Sequence, residues 1–150
     1  MAFIASGVNA FNLDNLKAVY QPEKGDIGRF VVSKGEVKFI SDPDGAWRLY
    51  RQPNTTRVAG SGWGEFYIGG DPSFGTVDGD LAAAHVINRR TREQMAVFHG
   101  RVDPSAFADE LALAGKFYNL ATIAVEIQGG GLACVERLRH IYPRIYQRRT

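Results

Sequence analysis

The chain has 150 residues, of which 45% are hydrophobic and 23% charged, and its formal net charge is +2. These values are typical of one soluble globular domain with its own core, and the charge is too small to imply a partner. No apolar run approaches the length of a membrane span, and the first residues lack the basic and long apolar segments of a signal peptide. We therefore expect a cytoplasmic protein that does not contact membranes.

The first half of the chain predicts a helix and then strands. Asn12 or Asp14 can cap a short helix that continues through Tyr20, and residues 21–28 predict a loop. Turn residues then separate three apolar runs, which predict a small antiparallel β meander: Phe30–Val32, Val37–Ile40 and Trp47–Tyr50.

Residues 53–64 are rich in Asn, Thr and Gly and indicate a boundary. We therefore expect an N-terminal helix and β-meander linking segment over 1–64 and a second domain over 65–150. Trp63 is expected to pack this linker down.

A second set of strands and a helix follow. Tight turns join three predicted antiparallel strands: Tyr67–Gly70, Leu81–Asn88 and Gln94–Arg101. Asp103 or Ser105 can then cap a helix that has Pro104 in an early position. The apolar residues of this helix recur at helical spacing: Phe107, Leu111, Ala114 and Tyr118.

The last predicted elements are a buried strand and a helix. The β-branched run Thr122–Val125 is suited to a parallel strand, and three glycines separate it from a helix over Leu132–Ile141. Within this helix Cys134, the single cysteine, is expected to be buried and not a nucleophile. Residues 144–146 could begin a further strand.

The order β-β-β-α-β-α indicates an α/β domain with a ribonuclease H-like mixed sheet. In this arrangement the ends of the first and fourth strands lie side by side at the carboxyl edge of the sheet, where open α/β sheets bind ligands. Asp71 and Glu126 follow those two strands. They are therefore candidate ligands of Mg²⁺ or Mn²⁺, which prefer oxygen donors, and Asp78 and Asp80 could support them. The simpler interpretation makes Asp71 a turn residue, and Glu126 a residue that solvates a loop or caps a helix.

Four stretches resemble the nuclease part of the large terminase subunit of tailed bacteriophages. They occur in family order: FIASGVNAFNLDNL, YIGGDPSFGTVDGDLAAAHVIN, QMAVFHGRVDPSAFADELALAGKFYN and ATIAVEIQGGGLACVERLRHIYPRIYQR. The resemblance implies a two-metal DNA endonuclease that cuts viral DNA during packaging. It implies that Asp71 and Glu126 are catalytic metal ligands, with a weaker role for Asp80. The implied partners are double-stranded DNA, the terminase small subunit, the portal protein and the terminase ATPase domain.

Two departures from the family pattern lead to further expectations. The family's third acidic group, often an Asp-Asp pair on a later helix, has no counterpart here, so we expect weak metal binding and poor cleavage by this chain alone. The sequence also contains no G-x-x-x-x-G-K-[ST] motif of an ATPase motor. The chain is therefore expected to be a central piece of a terminase.

Two other functions are compatible with the sequence. The first is a non-catalytic DNA-binding or assembly fragment, because the segment from residue 137 onwards is basic and contains no Asp or Glu. Its candidate phosphate contacts are Arg137, Arg139, Arg144 and Arg148, although charge alone favours a solvated helix face. The second is a sugar-kinase or actin-like ATPase, because residues 71–76 loosely resemble the acidic turn after the first strand of such proteins. These ATPases have two large domains, however, and 150 residues are too few for both.

Overall fold

The computed structural model describes residues 14–15, 23–53 and 65–147. Over 23–53 and 65–147 the chain forms seven strands and two helices: β1 Asp26–Ser33, β2 Glu36–Ser41, β3 Trp47–Leu49, β4 Phe66–Asp71, β5 Ala82–Asn88, β6 Gln94–Gly100, α1 Pro104–Phe117, β7 Thr122–Val125 and α2 Gly131–Ile141. Asp14 and Asn15 are helical, and the rest of the predicted N-terminal helix lies outside the described residues, as does Trp63.

The strands form one mixed sheet in the order β2-β1-β3-β6-β5-β4-β7. β4, β5 and β6 are an antiparallel meander, and β7 returns after α1 to lie parallel to β4. This is the predicted ribonuclease H-like arrangement. The segment after α2 adds a single parallel bridge between Ile123 and Ile145 at the free edge of β7, where a further strand was predicted.

The three N-terminal strands are antiparallel, as predicted, but β3 lies beside β1 and not beside β2. The chain after β2 crosses close over the start of β1. A Cβ atom on Gly45 would lie 2.1 Å from the carbonyl oxygen of Gly28, so this crossing requires glycine. Pairing with β3 also explains why β1 begins at Asp26, inside the predicted loop, since Asp26 lies opposite Leu49.

Strands from both predicted segments share one sheet and one core. β3 pairs with β6, and the buried ring of Trp47 packs edge-on against Phe30 of β1 and Phe98 of β6. The indole nitrogen of Trp47 donates a 2.8 Å hydrogen bond to Glu110 of α1. The division at residue 64 stays a prediction, because residues 54–64 lie outside the described part of the chain.

The helices cover one face of the sheet and leave the other face open at its centre. Along β4 burial alternates strictly, so that Phe66 and Ile68 enter the core while Tyr67, Gly69 and Asp71 are exposed. α1 packs against this inner side and against α2. The buried residues of α1 are Phe107, Ala108, Leu111, Ala112, Ala114 and Gly115. The open side is the one that carries the candidate acids.

Helix α1 begins where the sequence predicted. The side chain of Asp103 accepts a 2.9 Å hydrogen bond from the amide of Ala106, and Pro104 occupies the first turn, where its missing N–H costs nothing. Neither α1 nor α2, nor the helical residues 14–15, is long and apolar enough to cross a membrane.

Candidate active site

Asp71 and Glu126 lie side by side at one edge of the sheet. Asp71 is the last residue of β4, and Glu126 directly follows β7, which pairs in parallel with β4 through Gly70 and Val125. The amide of Glu126 donates a 3.0 Å hydrogen bond to the carbonyl oxygen of Gly70. Two acids distant in sequence are therefore held by adjacent backbones, and both are exposed.

Both carboxylates line a cavity of about 470 Å³ on the open face of the sheet. We call it the acidic cleft, and its lining residues are Gly69, Gly70, Asp71, Ala83, His85, Ile87, Ala124 and Glu126. His85 is a lining residue that was not predicted from the sequence as a site residue, because it does not stand at metal-ligand spacing from other residues. The available signal was its place in a β-hairpin: alternation along β5 turns it to the open face, and the register sets it opposite Gly69.

A tight turn between β7 and α2 holds Glu126. The amide of Gly131 donates to the carbonyl of Gln128, and a Cβ atom on Gly131 would lie 1.8 Å from the carbonyl oxygen of Glu126. No side chain fits between the start of α2 and the end of β7. Gly131 therefore sets the path of the backbone that carries Glu126.

The loop after Asp71 is fastened to the start of α1. The guanidinium of Arg101 donates to the carbonyl oxygens of Thr76 and Gly79, the latter at 2.8 Å. Gly75 has a φ of +71°, and a Cβ atom there would lie 2.8 Å from the amide nitrogen of Asp103. These contacts hold the loop in place around the end of β4.

The structure does not bring the other predicted acids into the acidic cleft. Asp78 and Asp80 are in the loop before β5 and are not among the residues that line the cleft. Across 14–15, 23–53 and 65–147, no three His, Cys, Asp or Glu residues are arranged to hold a metal ion. The metal role of Asp80 stays a prediction, and it would need a different position of this loop.

The candidate DNA-binding arginines that the structure describes are not among the residues that line the acidic cleft. Arg137 and Arg139 belong to α2, which packs with α1, and Arg137 forms an ion pair with Asp109 of α1 at 3.1 Å. Arg144 donates to the side chain of Thr122 at 3.2 Å. Arg148 is outside the described residues. The structure thus gives Arg137 and Arg144 partners within the chain.

Cys134 is buried on the inner side of α2, as predicted. Burial raises the pKa of its thiol to about 12, so the thiol stays protonated at neutral pH and is a poor nucleophile.

The donors of the acidic cleft fit a hard divalent cation. Asp71 and Glu126 offer carboxylate oxygens from two rigid strand ends, and Mg²⁺ commonly uses one or two carboxylates while water and substrate phosphates fill its other positions. Two carboxylates and one histidine do not make a closed structural zinc site. Mg²⁺ or Mn²⁺ is therefore the metal that these residues suit.

A mixed sheet with this strand order and with two helices on one face has a ribonuclease H-like fold. The fold is similar to that of the large terminase nuclease of the thermophilic phage G20c. One structure of that nuclease matches with a TM-score of 0.52 and 14% identity, covering 82% of this chain and 55% of that one. A structure of the same nuclease with bound magnesium matches with a TM-score of 0.51 and 13% identity, covering 85% and 58%.

The chain thus spans a little more than half the length of these nucleases. At such low identity the likeness establishes the fold alone. No protein-family model and no curated protein sequence matches the chain.

Proposed function

We propose that this chain is a divalent-metal-dependent DNA endonuclease domain of a phage packaging terminase. The observation that carries the proposal is that Asp71 and Glu126, at the ends of the paired strands β4 and β7, line one open cleft. The shared fold with a terminase nuclease whose structure contains magnesium supports the same class. The terminase small subunit, the portal protein and the ATPase domain are the partners that this function implies.

In this proposal the chain holds the metal and admits the DNA. Asp71 and Glu126 are the metal ligands, and the hydrogen-bonded pairing of β4 with β7 keeps their separation constant. A divalent cation held by Asp71 and Glu126 would supply polarisation of the phosphate and activation of the attacking water. The open face of the sheet leaves room for a nucleic-acid backbone to reach both carboxylates.

Metal binding provides a test that does not depend on activity. We expect Mn²⁺ to raise the melting temperature of the wild-type chain. At ten times its Kd a ligand that binds only the native state adds about 1.4 kcal/mol, which corresponds to a rise of roughly 3–6 °C for a chain of this size. Asp71→Asn and Glu126→Gln should lose this rise. Asp44→Asn, an exposed acid in the turn after β2, is the matched control.

Cleavage is tested with the same variants. We expect slow nicking of supercoiled plasmid at millimolar Mn²⁺, lost in EDTA and in Asp71→Asn. A chain that binds no Mn²⁺ and does not nick DNA would overturn the proposal. If such a chain still bound duplex DNA at low salt with a steep salt dependence, the non-catalytic alternative would replace it.

A further inference from the structure

The acidic cleft continues into a second groove. A cavity of about 640 Å³ crosses β5, β6 and β3 on the same open face of the sheet, and Ala83 and His85 line both cavities. The strand register places Arg48 opposite Val97 and Val97 opposite His85, and His99 lies opposite Ala83. The basic or imidazole side chains that line this groove are Arg48, His85 and His99. A continuous surface therefore leads from the two acids to a row of cationic or neutral donors.

His85 occupies the junction of the two cavities. Gly69 pairs with His85 and Asp71 pairs with Ala83, so Asp71 and His85 are diagonal neighbours on one face of β4 and β5. Diagonal neighbours have Cα atoms roughly 7–8 Å apart, within reach of a group bound between their side chains. His85 is thus close enough to contact a substrate held at Asp71.

The hydrogen bond of His85 to the next strand determines which of its ring nitrogens is available as a donor. The side-chain nitrogen of Gln94 lies 2.8 Å from Nδ1 of His85. With the Gln94 amide as donor, Nδ1 is the acceptor, and the proton of the neutral ring is on Nε2. Nε2 is then free to donate to an oxygen atom.

Gly69 leaves open space beside His85. A glycine inside a strand lowers stability, and it often marks a position where a ligand approaches the backbone closely. A Cβ atom on Gly69 would have no neighbour within 4 Å, so no packing contact in the described chain requires glycine there. The space above Gly69, between His85 and Ala124, is part of the acidic cleft.

We infer that His85 binds a phosphate of the nucleic-acid strand in the acidic cleft, next to the phosphate held at Asp71 and Glu126. The strand passes over Gly69, where no side chain obstructs it, and continues along the second groove towards Arg48. This role rests on the proposed nuclease function. It makes His85 a substrate-binding residue and not a third metal ligand, since His85 forms no metal-holding group with Asp71 and Glu126 in the described structure.

The charge of the site supports this assignment. Asp71 and Glu126 repel phosphates, and a bound cation offsets that repulsion only at the acids themselves. Away from the metal the strand needs donors, and phosphate oxygens commonly accept hydrogen bonds from polar and cationic side chains. His85 provides such a donor two residues along β5 from the position opposite Asp71, and Arg48 follows in the groove.

The test measures binding of a fluorescently labelled DNA duplex by anisotropy, in Mn²⁺ and low salt. We expect His85→Ala to raise the Kd about tenfold, the typical loss of one hydrogen bond to a charged group. His85→Gln should recover most of the affinity, because its amide nitrogen reaches close to the position of Nε2. His140→Ala is the control, since it removes an exposed histidine from α2 on the covered side of the sheet.

A second variant tests the path of the strand. Gly69→Val should fold, because its first side-chain atom meets open space, yet it should weaken DNA binding by filling the cleft.

His85→Ala should keep the Mn²⁺-induced rise in melting temperature, whereas a variant that lacks a metal ligand would lose this rise.

The outcomes separate this inference from the proposed function. If the wild type binds Mn²⁺ and DNA but His85→Ala binds DNA as well as His140→Ala, the role of His85 is overturned and the nuclease proposal stands. If His85→Ala loses the Mn²⁺ effect, His85 is a metal ligand and the inference is wrong. If the wild type binds neither Mn²⁺ nor DNA, both proposals fail, and if it binds Mn²⁺ alone, the inference and the DNA part of the proposed function fail.

Discussion

The amide of Glu126 donates a hydrogen bond to the carbonyl oxygen of Gly70, the residue before Asp71. This contact extends the parallel pairing of β4 and β7 by one position beyond the last paired residues. Backbone and not side-chain contacts therefore set the distance between the two acids. The side chains of Asp71 and Glu126 remain exposed and available to a ligand.

Replacing Gly131 with alanine should displace Glu126. The new Cβ atom would lie 1.8 Å from the carbonyl oxygen of Glu126, so the turn must move. Overpacking of this kind costs about 1–3 kcal/mol, and displacing Glu126 should also weaken Mn²⁺ binding. Thermal unfolding with and without Mn²⁺ measures both effects. Gly69→Ala, with open space around its Cβ atom, is the control for stability, and equal melting temperatures of the two variants without Mn²⁺ would contradict this account.

Removing the Arg101 guanidinium should loosen the loop after Asp71. Arg101→Met keeps much of the side-chain volume but loses the hydrogen bonds to the carbonyl oxygens of Thr76 and Gly79. Groups that orient metal ligands are worth about 10–100-fold in affinity, and we expect the low end because Arg101 acts through the backbone. Titration with Mn²⁺ measures the change. Arg90→Met, in the exposed turn after β5, is the matched control; an unchanged affinity in Arg101→Met would show that the loop does not position Asp71.

Glu110 should make the stability of the fold depend on pH. Burial raises the pKa of its carboxyl above the ordinary value of 4.5, although the hydrogen bond from Trp47 opposes this. A raised pKa in the folded state means that the contribution of Glu110 is fully present below the ordinary value and is lost as the pH rises through the folded value. Glu110→Gln, which can still accept from Trp47, should therefore be more stable than the wild type at pH 7.

The difference between Glu110→Gln and the wild type should shrink as the pH falls below 4.5. Melting temperatures across the acid range measure it, and Asp44→Asn is the control for the loss of an exposed charge. A difference that does not change with pH would contradict the effect of burial on Glu110.

Within residues 23–53 and 65–147, periodicity and turn chemistry identified the strands and helices, although β1 begins earlier than predicted. Residues close together in the sequence produce the alternation in β4, the helical spacing of Phe107 and Leu111, and the cap at Asp103. These features can therefore be predicted from the sequence. The order of those elements was also enough to infer the parallel pairing of β4 with β7. That pairing predicts that Asp71 and Glu126 are neighbours.

The position of β3 and the role of His85 required the folded chain. β3 lies beside β1 because the backbone crosses closely at Gly28 and Gly45, and local pattern does not distinguish this from a simple meander. The sequence predicts only that His85 is an exposed strand residue. The strand register shows that it lies opposite Gly69, in the acidic cleft. The position of β3 and the position of His85 both depend on contacts between segments that are distant in the sequence.

The sequence by itself determined which strands and helices form and which two acids end adjacent strands, because those properties follow from short-range periodicity and from the topology of a crossover connection. The tertiary structure alone decided that the N-terminal strands join the same sheet, that Asp78 and Asp80 do not line the acidic cleft, and that His85 faces it. The physical reason is that register and loop path are set by packing and hydrogen bonds between distant segments, as the contact of Glu126 with Gly70 illustrates.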